Sequence, residues 1–86
     1  MALVTPSWFQ QRQAKAEPAG ENTYRLFGPN LPDVFLSIRK GANGRWLAAM
    51  RYEADGPDVA ATEPLFEREY EAWETGFELY RNLVIV

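Results

Sequence analysis

Val34-Phe35-Leu36-Ser37-Ile38-Arg39-Lys40-Gly41-Ala42-Asn43-Gly44-Arg45-Trp46-Leu47-Ala48-Ala49-Met50-Arg51-Tyr52-Glu53 reads as two strands and the turn between them. Apolar residues recur at every second position on both sides of Gly41-Ala42-Asn43-Gly44, the period of a half-buried strand. A three-residue loop of Ala42, Asn43 and Gly44, with Gly44 left-handed in a G1 bulge, suits these residues and pairs Gly41 with Arg45. That register sets Ile38 against Ala48, Leu36 against Met50 and Val34 against Tyr52, an entirely apolar face. The other face collects Phe35, Ser37 and Arg39 with Leu47, Ala49 and Arg51. A slip of one residue would carry arginines into the core, so turn chemistry and hydrophobic pattern select the same register independently.

Beyond this hairpin the period changes. Phe66, Tyr70, Trp73, Phe77, Tyr80 and Val84 follow the alternating four-and-three step of one helix face, which predicts a helix over 66–82. Glu67, Glu69 and Glu71 fall in its first turns and Arg81 in its last, as the helix dipole favours. Gly76 costs about 1 kcal/mol against alanine inside a helix and marks a close approach to the sheet or a slight bend. Residues 23–27 alternate and end at the turn cluster of residues 28–33, which predicts a further antiparallel strand. Residues 59–62 suggest a short one. Thr5 before Pro6 is placed to cap a short helix running to about Lys15, with Trp8 as its anchor, and residues 16–22, containing Pro18 and Gly20, read as a linker. The expected fold is α+β. An antiparallel sheet of three to four strands (23–27, 34–40, 45–53 and 59–62) carries one long helix on one face, in a domain of residues 23–86 behind an N-terminal segment of residues 1–22. Residues 83–86 are too apolar to stay in water, and prolong the helix, add an edge strand or enter a second subunit.

A chain of 86 residues supports a single modest core. It has neither cysteine nor histidine, so disulfides, thiolate nucleophiles, the usual zinc sites and imidazole bases are excluded. No cofactor is expected. The first residues lack a basic, then apolar, secretory pattern and no segment is apolar enough to span a membrane, so the expected setting is cytoplasmic. The net charge of −3 divides unevenly: residues 1–51 hold seven basic side chains against three acids, and residues 52–86 hold two against nine. The sheet half is basic and the helix half acidic.

Two acidic groupings are candidate sites. Glu53, Asp55 and Asp58 offer oxygen ligands in one turn, but their spacing matches no cation loop, and a solvated turn is the plainer reading. Glu63, Glu67 and Glu71 share a helix face if the helix begins early, yet flank no nucleophile. No catalytic or metal site is assigned. The candidate binding face comprises Phe35, Arg39, Arg45, Leu47 and Arg51.

Gly44-Arg45-Trp46-Leu47-Ala48-Ala49-Met50-Arg51 resembles the second-strand signature of AP2/ERF-type domains, and Phe35-Leu36-Ser37-Ile38-Arg39 resembles their first strand. The helix through Tyr80 falls about where that family places its own, so the resemblance covers residues 35–80 and is one of layout. In that family, and in related integrase N-terminal domains, a three-stranded sheet enters the DNA major groove. The resemblance implies that Arg39 and Arg51 are DNA contacts, with Arg45 on the same side. Leu36 stands where the family has an arginine and Ala49 where an acid is common. Residues 58–62 carry neither the arginine nor the tryptophan of its third strand. Three functional readings follow: a non-enzymatic interaction module that binds a protein partner or itself through the sheet face opposite the helix; a nucleic-acid-binding domain using Arg39, Arg45 and Arg51; and, last, a carboxylate-only enzyme.

Overall fold

The central hairpin forms in the expected register. The computed structural model describes residues 5–84. In it β3 (Leu31–Lys40) pairs with β4 (Trp46–Arg51), Leu36 facing Met50, Ile38 facing Ala48 and Arg39 facing Leu47. The Gly41 N–H donates to the Arg45 carbonyl at 2.8 Å, and Gly44 takes φ +79°, the left-handed conformation that closes a G1-bulge loop. The strand ends earlier than expected, at Arg51. Beyond it the chain turns, the Gly56 N–H donating to the Glu53 carbonyl at 3.1 Å, and this swings Tyr52 off the sheet. Tyr52, expected opposite Val34 in the core, is therefore 49% exposed.

Among the described residues the sheet has five antiparallel strands in sequence order, with β1 (Lys15–Gly20), β2 (Thr23–Gly28) and β5 (Ala60–Ala61) beside β3 and β4. Two-residue turns join β1 to β2 and β2 to β3, and each ends on an asparagine with positive φ, Asn22 at 52° and Asn30 at 59°. Strand β3 consequently begins at Leu31, three residues before the expected start. Residues 16–22, read as a linker, are mostly strand β1 and its turn. Pro18 disguised it. A proline supplies no ladder donor, but at a sheet edge one side of the strand has no partner to lose, and Pro18 sits on the edge strand opposite Tyr24. At the other edge β5 is only two residues long, braced by Thr62, whose N–H donates to the Ala48 carbonyl at 2.8 Å while its Oγ1 accepts the Ala48 N–H at 3.0 Å.

Both helices lie on one face of the sheet. Helix α2 (Glu69–Val84) starts three residues later than the spacing implied, because Phe66 stays extended and exchanges two backbone hydrogen bonds with Trp46, at 2.7 and 3.2 Å. Glu71 then caps the helix, its Oε1 accepting the Arg68 N–H at 3.2 Å. The buried stripe is Ala72, Gly76, Phe77 and Tyr80 rather than one running through Tyr70, which is 50% exposed. At Gly76 the helix touches the sheet. A Cβ there would lie 3.1 Å from both the Ala48 Cβ and the Leu36 Cδ1, tighter than most such contacts, so a larger residue would push helix and sheet apart by a few tenths of an ångström. The helix continues through Leu83 and Val84; Ile85 and Val86 lie outside the described residues.

Helix α1 (Ser7–Gln11) is shorter than expected and has no side-chain cap. Pro6 takes the capping position, and Thr5 Oγ1 instead accepts a hydrogen bond from Gln10 Nε2 at 2.8 Å. Its anchor is Phe9, 1% exposed, whose ring meets Phe77 at 5.2 Å and Tyr80 at 5.9 Å; Trp8 is half-buried against Tyr80. The N-terminal segment thus completes the main core, with Leu26, Val34, Leu36 and Met50 beneath it. A second cluster of Ile38, Ala48 and Ala72 packs under Trp46, Phe66 and Trp73. Each large side chain buried this way contributes roughly 1.5–3 kcal/mol relative to exposure.

Candidate interaction face

Among the described residues, no helix covers the opposite face of the sheet. Strand alternation and register bring Glu17 of β1, Arg25 of β2, Phe35 of β3 and Arg51 of β4 into one cross-strand row. A second row holds Thr23, Ser37, Ala49 and Ala61, and a third pairs Arg39 with Leu47. Of the five residues singled out in the sequence, Phe35, Arg39, Leu47 and Arg51 share this face. Arg45 lies just before β4 in the hairpin turn, exposed, with its N–H donating to Asn43 Oδ1 at 3.0 Å.

The arginines of the face differ in their partners. Arg25 places Nε and Nη2 on Asp33 Oδ2 at 3.0 and 2.8 Å, approaches Glu17 at 3.9 Å, and stacks 4.5 Å over the Phe27 ring. Arg39 Nη2 meets Asp58 Oδ2 at 2.7 Å. Asp58 precedes β5, on the far side of β4, so this ion pair spans β4. Beneath that span Ala49 is fully buried and Leu47 is buried to 9% exposure, although no element among the described residues is stacked above them. Leu47, expected as an exposed member of the face, is instead part of its floor. Arg51 is the exception. It is half-buried, its Nε is shut off from solvent, and among the described residues that Nε has no acceptor and no acid pairs with the guanidinium. A shielded donor without an acceptor costs on the order of 1–3 kcal/mol.

The acidic groupings resolve differently. Asp58 serves Arg39, and Glu71 serves the start of α2, while Glu63 and Glu67 precede that helix and do not extend a face of it. Among the described residues no three acidic side chains gather to hold a metal ion. On the other side of the sheet Tyr80 is buried with its hydroxyl unpartnered among the described residues, and burial raises its phenol above the usual range.

No family model, curated protein or solved structure matches this chain. The outer face must therefore be read from its own chemistry. Arg25, Phe27, Glu17 and Asp33, none of them singled out in the sequence, form one end of it. The signal for Arg25 and Phe27 was the alternation of residues 23–27, which assigns odd-numbered positions to the outer face once the short turn to β3 is known; Glu17 and Asp33 lay in segments read as linker and turn.

Proposed function

We propose that the protein is a small non-enzymatic interaction module that binds a protein partner, or a second copy of itself, through the outer face of the sheet. The carrying observation is that Arg25 and Arg39 are already neutralised by Asp33, Glu17 and Asp58 on that face. Phosphate binding would have to compete with these carboxylates, whereas a mosaic of aromatic residues and ion pairs is the ordinary chemistry of a protein interface. Phe27, Phe35 and the stem of Arg51 supply the apolar part. No helix among the described residues is long and apolar enough to cross a membrane; a cytoplasmic setting belongs to the proposal.

Nucleic-acid binding is the second reading, favoured by the one observation that Arg45 and Arg51 have no acidic partner among the described residues. A photo-crosslinking residue placed at position 35, with a control at the exposed hairpin residue Ala42, separates the two. The proposal expects a nuclease-resistant protein adduct at 35 that is lost with Arg51→Glu. Adducts only to nucleic acid, or none at 35, overturn it.

A further inference from the structure

Charges without partners occur on both outer surfaces of the molecule, and their signs are opposite. On the sheet, Arg51 has a shielded Nε and no carboxylate among the described residues. On α2, Glu74 and Glu78 are exposed and make no ion pair among the described residues, one and two turns beyond the half-exposed Tyr70. These spacings set Tyr70, Glu74 and Glu78 along one side of the helix, away from its buried stripe. Sheet and helix are stacked layers, so within one chain these groups point in opposite directions and cannot meet. Between two chains they can.

Building on the proposed function, we infer that the partner is a second copy of this chain. It lays the outward side of α2 across the open sheet, so that Glu74 or Glu78 reaches Arg51 while Tyr70 packs against Phe35. The contact supplies the carboxylate that Arg51 lacks and gives the sheet a helix on its second face, a common layered arrangement. Arginine suits this role because its planar fork binds a carboxylate through two donors. Pairing through the strand edges is disfavoured, since Pro18 interrupts one and the other is two residues long. The contact is head-to-tail, so it does not close at two copies and successive copies add to a ring or an open chain. A net charge of −3 on every copy opposes it, which keeps the association weak.

Sedimentation of the whole chain up to about 1 mM in low salt reads the mean mass, and added salt should reduce it because these charges are exposed to screening. The unaltered protein is expected to grow in mass with concentration. Arg51→Glu loses this growth, as does the pair Glu74→Gln with Glu78→Gln. An equimolar mixture of the two variants regains mass and stops at a dimer, since one retains a working helix face and the other a working sheet face. A mass that stays at one chain for the unaltered protein overturns the inference, as does association that survives both variants. Growth lost with Arg51→Glu but kept by the helix variant indicates sheet-to-sheet pairing, which overturns the head-to-tail contact and leaves the binding role of the sheet standing. A monomer that still gives the position-35 protein adduct likewise separates the two. Should a variant fail to fold, amide shifts on dilution of the unaltered protein decide: they must fall on both β3–β4 and α2, and shifts on one surface or none overturn the inference.

Discussion

The two faces of the sheet are built from alternate residues of the same strands, yet they solve different problems. The helix-side face is apolar, closed and tightly fitted, down to a glycine where helix and sheet touch. The outer face holds arginines on aromatic and small residues, and among the described residues all but one of those arginines are tied to carboxylates. Stability should reside in the first and association in the second. The difference teaches that charge on a sheet need not mean a charged ligand: most of this charge is already answered within the face.

Breaking the helix-side face should have the largest effect. Phe77→Ala removes a ring that meets Phe9 and is expected to cost about 3–5 kcal/mol in urea unfolding. Phe9→Ala should approach that value, on the order of 3 kcal/mol, because the N-terminal helix is part of the core rather than an appendage. A loss under about 1 kcal/mol would return residues 5–14 to the status of a tail. Gly76→Val tests the fit itself. Its new side chain meets Ala48 and Leu36, and the expected loss is about 1–3 kcal/mol, read from the thermal midpoint.

Tyr80→Phe sharpens the comparison in the other direction, since it deletes an unpartnered buried hydroxyl and should be neutral or stabilising by about 1 kcal/mol. It also alters the alkaline limb. Burial raises the folded-state phenol, so the unfolded chain ionises first; its stabilising contribution is complete below the ordinary value of ~10 and falls as pH rises past it. The variant should lose stability less steeply in that range. On the outer face, Asp58→Ala should cost no more than about 1 kcal/mol, as expected of an exposed ion pair.

How much of this was legible depended on whether two constraints acted on the same residues. The central hairpin was, because a glycine-containing loop and an apolar alternation had to agree. The helix was legible in kind but not in phase: Phe66 keeps the right spacing, yet its backbone pairs with Trp46 and holds the chain extended. Strand β1 was hidden because Pro18, Gly20 and Asn22 are loop residues by composition and edge-strand or turn residues by position. The candidate face was legible as a face, since the hairpin register placed Phe35, Arg39 and Arg51 together. Its ion pairs were not, because Arg25 with Asp33 depends on an unseen two-residue turn and Arg39 with Asp58 on a link across β4.

Phe35 and Leu36 are consecutive in β3 and point to opposite faces, which makes them the sharpest pair to compare. Urea unfolding of Phe35→Ala and Leu36→Ala, measured side by side, tests whether stability and binding are divided between the faces. The account predicts a loss of about 2–5 kcal/mol for Leu36→Ala and at least ~1.5 kcal/mol less for Phe35→Ala, although phenylalanine is the larger residue. Equal losses, or a greater loss at Phe35, would contradict it.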